Sequence, residues 1–319
     1  MSLDRWHVFA ALSLAVALIC GCAAVTPAPD EFEVSEPTPA RREPEKLYPE
    51  VEARLQPLAT PLPKAGPGDW LAQHKEEGQT FDEYVQAAPV RKSVRRDRIY
   101  LCLIGEFTKE QERVLEITSE YLAVVFQSPV EIRERLSVDK IADHAKRTHP
   151  NWGDKQILST YVLDDVLKPN RPKNALAYIA FTSSDLWPGE GWNFVFGQAS
   201  LQERVGVWSI YRDGNPAKSP EDFQLCLSRT MKTASHETGH ILGLQHCIAF
   251  HCNMNGSNNR QESDRAPLQA CPVCLRKLCW NLQVAPARYL EDLERFCVKH
   301  KFAAEAKWYR DARARLTGE

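Results

Sequence analysis

The chain has almost no excess of charge of either sign: 40 Lys and Arg stand against 42 Asp and Glu in 319 residues, a net charge of −2 with histidine neutral. A balance this even gives no electrostatic footprint for a polyanion and excludes nucleic acid as an expected partner. Histidine is scarce, nine in all, and methionine scarcer still, with three. Clustering of either type therefore carries weight. Between Thr26 and Gly68 large apolar side chains are few, while ten of the 21 prolines collect there among Glu, Arg and Ala. Such a segment buries too little apolar surface to offset the entropy of ordering, so residues 26–68 are expected to be a disordered, extended tether.

Ahead of that segment, Val8 to Cys20 is almost wholly apolar and leads into Ile19-Cys20-Gly21-Cys22, where a signal would be cut. Residues 1–25 resemble a bacterial lipoprotein signal with Cys22 as the lipidated residue. The alternatives are an uncleaved anchor helix, because Val8 to Val25 approaches spanning length, and an ordinary hydrophobic segment. The signal and the anchor helix each predict an exported chain tethered to a membrane by its N-terminus.

Residues 69–319 carry the pattern of one folded domain, with an N-terminal subdomain at 69–245 and a C-terminal one at 246–319. Asp69 to Ala88 brings Trp70, Leu71, Phe81, Tyr84 and Val85 into a polar background, as an arm packed on the domain would. Ile99 to Ile104 is a near-continuous apolar run that predicts a buried strand. Thr108 and Gln111 form a capping-box pair ahead of Val114, Ile117, Tyr121 and Val125 at helical spacing. Further strands are expected at Val130 to Arg135, Ala175 to Phe181, Phe194 to Phe196 and Val205 to Tyr211. A helix is expected over Ile157 to Val166, stopped by Pro169. Gly191 and Gly197 read as turns, and Asp185, Trp187 and Trp192 as loop anchors. After Cys274, Pro286 to His300 and Ala303 to Arg315 have helical spacing. The sum is an α/β (α+β) chain: a mixed, twisted sheet of about five strands, packing helices, and one long helix that bears the motif below.

That motif is His236 to Cys247, HETGHILGLQHC. On a helix His236 and His240 stand one turn apart on one face, so both can reach a single metal ion. Glu237 lies beside them, where a carboxylate can take a proton from water activated by the metal. Gly243 can adopt positive φ and turn the chain so that His246 becomes the third ligand. Three neutral imidazoles leave a fourth tetrahedral position open, the arrangement of catalytic zinc.

From His236 onward the sequence closely resembles the archaemetzincins, metzincin zinc peptidases marked by H-E-x-x-H-x-x-G-x-x-H-C-x4-C-x-M followed by C-x2-C. Every fixed letter is present here, and the interval between Met254 and Cys271 is one residue shorter than the family's. The resemblance extends more weakly through DWLAQHKEEGQTF and WNFVFGQA, covering about residues 69 to 280. It implies that His236, His240 and His246 bind catalytic zinc, that Glu237 is the general base, and that Met254 lies in a turn beneath the metal. It also implies a second, structural zinc held by Cys247, Cys252, Cys271 and Cys274, two per chain in all, and the pairwise spacing of those thiols agrees. His251 and Cys279 are near enough to substitute. Cys102, Cys226 and Cys297 read as small buried side chains. An exported chain meets oxidising conditions, where Cys247–Cys252 and Cys271–Cys274 disulfides would compete with zinc. The expected function is hydrolysis of peptide bonds in a peptide or protein substrate by a monomer. The alternative is a catalytically silent, membrane-tethered zinc protein that recruits partners.

Overall fold

Two strands set the architecture: β1 (Arg98–Ile104), buried at six of its seven residues, and β5 (Ala175–Thr182), buried at all eight. Strands this apolar need cover on both faces, which is the position of central parallel strands. The computed structural model describes residues 47–319. The apolar run and Cys22 of the expected signal, and the tether as far as residue 46, lie outside the described residues. β1 and β5 occupy the middle of a sheet ordered β2 (Val130–Leu136), β1, β5, β8 (Val205–Ser209), β7 (Gly197–Ser200). The first four are parallel, and β7 forms an antiparallel edge on β8. This is the mixed five-stranded sheet that the pattern predicts.

Alternation along β1 divides the core in two. Ile99, Leu101 and Leu103 face one cluster, together with Val114, Tyr121, Leu227 and Met231 from the helices, and Tyr100, Cys102 and Ile104 face another with Val162 and Leu167. The helix Lys109–Val125 starts at Thr108 with both arms of its capping box made, and buries Val114, Ile117, Tyr121 and Val125 as their spacing predicts. The 22-residue helix Pro220–Ile241 is capped by Ser219, whose Oγ accepts from the Asp222 amide. It packs on the helix Lys109–Val125 and on β7 and β8, so the helix bearing the motif lies beside the edge of the sheet. Helices Pro272–Leu282, Pro286–Lys299 and Ala303–Thr317 complete the unit.

Four expectations are corrected. The tether does not extend to Gly68: Pro49–Leu55 is a helix with Val51 and Leu55 fully buried, and Glu52 pairs with Arg276 at 2.9 Å. The Leu62 amide donates to Ala249 O beyond it. The low average apolarity of the segment hides Tyr48, Val51 and Leu55, spaced to form one helical stripe. Second, the compact unit comprises residues 47–319 rather than 69–319, and core residues such as Cys274, Leu290 and Tyr309 share a cluster with β1.

Third, Lys155–Leu158 is a strand, β4, of a small second sheet with β3 (Lys146–Thr148) and β6 (Asp185–Trp187). Helical structure begins at Ser159, passes through a π-helical stretch at Val162–Leu167 and runs past Pro169 to Asn170. The pairing of Gln156 and Ile157 with Asp185 and Leu186 is non-local, and local periodicity carries no trace of it. Fourth, the strand expected at Phe194 to Phe196 begins instead at Gly197, which pairs with Trp208 and is not a turn; Val195 makes a lone bridge to Leu186.

Because Leu55 is fully buried, Leu55→Ala is expected to destabilise the domain by about 2–5 kcal/mol. Denaturant unfolding measures this, and an unchanged midpoint would mean that the helix Pro49–Leu55 is not part of the cooperative unit.

Candidate metal centre

The motif helix ends in a reversal that its sequence dictates. Gly243 has φ +86°, and the two bonds of a Schellman cap are in place: Leu244 N–H to Gly239 O at 3.1 Å, and Gly243 N–H to His240 O at 2.8 Å. A Cβ at residue 243 would lie 2.6 Å from Pro89 Cβ, so glycine is required both by the turn and by its neighbour. The Tyr84 hydroxyl donates to Leu242 O at 2.8 Å and secures the same corner. His246 is thereby brought back toward His236 and His240.

The ligand atoms of the three histidines lie within 4.8 Å of one another. Each Nδ1 has an acceptor: Asn253 O for His236 at 2.7 Å, Leu244 O for His240 at 2.6 Å, and the Glu76 carboxylate for His246 at 2.8 Å. Carbonyls and carboxylates only accept, so these contacts place the proton of each neutral ring on Nδ1 and leave Nε2 with a free lone pair. The Nε2 atoms of His236 and His240 are 3.0 Å apart. Burial lowers His236 to about 4, with His246 adding to the shift, and lowers His240 further, so these rings are neutral at pH 7. Lone pairs that converge this closely repel unless a cation lies between them. The donor set fits zinc.

Glu237 sits between the first two histidines on the helix and is partly buried. Burial pushes its carboxyl up to about 7, and the nearby His246 opposes that. Met254 is buried beneath the helix, packed so closely that a Cβ on Gly239 would lie 2.8 Å from its Sδ. Gly239 thus admits Met254 under the histidines. The Met254 carbonyl accepts from the Cys247 amide at 2.7 Å and ties the turn to the strand of chain leaving His246.

Cys247, Cys252, Cys271 and Cys274 form a second group, with their sulfurs within 4.8 Å of one another. None of the eight described cysteines is in a disulfide. Cys247 Sγ and Cys271 Sγ are 3.7 Å apart, against about 3.8 Å for the edge of a tetrahedron with zinc–sulfur bonds of about 2.3 Å. The amides of Met254 and Cys271 point at Cys252 Sγ at 3.4 and 3.2 Å, and Cys271 stands immediately before the helix that carries Cys274 in its first turn. Amide dipoles and a helix N-terminus both favour thiolate. The thiols of Cys252, Cys271 and Cys274 hold the Cys247 thiol well below its usual range, while burial raises Cys252.

All the sequence-expected ligands therefore fall into two groups, and His251 and Cys279 belong to neither. Cys102, Cys226 and Cys297 are buried away from both. Asp185 and Trp187 lie in strand β6 rather than in a loop, and Asp185 anchors from there, holding Arg212 at 2.7 Å and Gln156 at 2.7 Å. Sequence reasoning did not reach Glu76 or Asn253, the acceptors of His246 and His236. Glu76 lies in the stretch DWLAQHKEEGQTF, and that stretch was its one signal. Burial works against ionisation of Glu76, but the hydrogen bond with His246 holds its carboxyl below the usual range.

Gly243→Ala would force a side chain to φ +86° against Pro89, and a loss of about 1–3 kcal/mol is expected, with weaker metal retention after dialysis. Wild-type thermal stability in this variant would contradict the role assigned to the turn.

Comparison with known proteins gives a consistent picture. Residues 164–279 match the model of peptidase family M54. The chain is 31% identical over 301 residues to archaemetzincin-2 of Mus musculus, covering 82% of this chain and 77% of the mouse protein. It is 38% identical over 131 residues to an archaemetzincin of Thermococcus kodakarensis, covering 41% of this chain and 70% of that one. Among solved structures, archaemetzincin from Methanopyrus kandleri is similar at 26% identity and a TM-score of 0.49, over 60% of this chain and 99% of that one. The chain belongs to the archaemetzincin family of zinc metallopeptidases.

Proposed function

We propose that this metallopeptidase cleaves peptide bonds at a zinc ion held by His236, His240 and His246, with Glu237 as general base. A second zinc, held by Cys247, Cys252, Cys271 and Cys274, is structural in this reading. The observation that carries the proposal is the hydrogen-bonding of all three imidazoles at Nδ1, which directs three Nε2 lone pairs to one place. A zinc ion in that position supplies Lewis acidity, polarising a carbonyl and making water more acidic.

The remaining work falls to side chains of this protein. Glu237 takes the proton of the attacking water and passes it to the leaving amine nitrogen. Burial pushes that carboxyl up to about 7, and a dication beside it would bring the value down and keep it ionised at neutral pH, as a proton acceptor must be. Among the described residues β7, beside the motif helix, pairs only with β8, so its outer edge is where an extended substrate would add to the sheet. Both groups are complete within one chain, so the proposed sites need no residue from a second copy. The N-terminal sequence supports export and tethering to a membrane, with lipidation at Cys22.

Glu237→Gln should keep its zinc and lose about 10²–10⁴-fold in chelator-sensitive cleavage of a peptide library; cleavage at the wild-type rate would remove Glu237 as the base. Cys247→Ala should lose the second ion and also weaken zinc at the histidines, because Cys247 adjoins His246. Zinc titration of both sites measures this, and unchanged affinity at the histidines would show that the two sites are independent.

A further inference from the structure

The three imidazoles are not anchored alike. His240 leans on the carbonyl of Leu244, four residues on, and His236 on that of Asn253, 17 residues on, so both are held by the backbone of the motif's own neighbourhood. His246 leans on a side chain, Glu76 Oε1, from 170 residues upstream. It is also the ligand with least support of its own, since it follows the reversal at Gly243 and lies outside helix and strand.

The stretch around Glu76 is tied to the chain on both sides of His246. Gln79 Nε2 donates to Gly243 O at 3.2 Å, and Gln79 Oε1 accepts from the Gln245 amide at 3.3 Å. Lys277 Nζ donates to the Gln79 carbonyl at 2.6 Å and fixes that residue from the side of the cysteine cluster. Gly78 packs on Ile248, so closely that a Cβ there would meet Ile248 Cγ1 at 2.9 Å. Trp70 sets the edge of its ring against His246, with centroids 5.2 Å apart, and its amide donates to Glu262 at 2.8 Å. Glu76 is therefore presented by a fixed piece of backbone, and Glu76 Oε2 is buried with it.

We propose that Glu76 is a positioning residue for the histidine metal site: the arm that precedes the sheet supplies the carboxylate that orients His246 and completes the ligand set. A carboxylate on Nδ1 fixes the tautomer and ring angle of a ligating histidine and makes its Nε2 a better donor, an effect worth about 10–100-fold in metal affinity. The inference rests on the three-histidine reading above. It adds that residues far outside the motif support the metal site, so the motif supplies the three ligands but not everything that orients them.

The test uses the full-length chain, with Glu76→Ala, Glu76→Gln and His246→Ala compared with wild type. Zinc affinity is read by chelator competition, and site geometry by the visible bands of the cobalt(II) form. Glu76→Ala should lose about 10–100-fold in affinity at one site and shift its ligand-field bands. The four-cysteine site should keep its ion and its sulfur charge-transfer band, which reports an intact fold. Glu76→Gln, whose amide oxygen can still accept from Nδ1, should recover most of the affinity. Wild-type affinity and bands in Glu76→Ala, alongside a loss in His246→Ala, would overturn the positioning role and leave the three-histidine reading intact. Unchanged affinity and bands in His246→Ala would overturn that reading and the positioning role with it. Loss of both ions together in Glu76→Ala would mark a folding defect and count against positioning.

Discussion

His246 and Cys247 are joined by one peptide bond, yet they belong to different clusters, the first to three imidazoles and the second to four thiols. Whatever fixes one position therefore constrains the other. The joint is held from several directions: the Gly243 reversal delivers it, the Cys247 amide donates to Met254 O at 2.7 Å, and Asn255 Nδ2 donates to the carbonyls of Cys247 and Phe250 at 2.6 and 2.9 Å. A run of chain without helix or strand is thus held at its amides and carbonyls by bonds to Met254, Asn255 and Gln79.

The rest of the fold brings the other half of each cluster to that joint. Capping by Ser219 sets the start of the motif helix, and packing on the helix Lys109–Val125, β7 and β8 sets its direction, so His236 and His240 arrive one turn apart beside the sheet edge. The helix Pro272–Leu282 delivers Cys271 and Cys274 from the other side. The arm from Trp70 to Gln86 closes over the joint through Glu76, Gln79 and Tyr84. The N-terminal helix Pro49–Leu55 backs this assembly by pairing Glu52 with Arg276, in the helix that carries Cys274.

Much of this was legible in the sequence, for physical reasons that differ between elements. The histidines and cysteines could be assigned because metal chemistry restricts both residue type and spacing, and Gly243 because positive φ selects glycine. β1, β5 and the helix Lys109–Val125 were legible because burial on both faces, or on one stripe, leaves a strong local pattern. The misses share another cause. The small sheet of β3, β4 and β6 depends on pairing between Gln156 and Asp185, and the order in residues 47–68 depends on packing of the helix Pro49–Leu55 against the helices Pro272–Leu282 and Ala303–Thr317. Glu76 is the same kind of miss: a glutamate in a run of charged residues becomes a partner of His246 only when the chain is folded. Local pattern records how a segment buries its own side chains, and it does not record what distant segments bring to it.

The central claim is that one rigid joint serves two zinc ions with different ligand chemistry. Zinc-edge X-ray absorption on the purified chain, together with zinc quantification, tests it most directly. The account predicts two zinc per chain and two shells of comparable weight, nitrogen or oxygen at about 2.0–2.1 Å and sulfur at about 2.3 Å. A single zinc per chain, or a spectrum with only one of those shells, would contradict it.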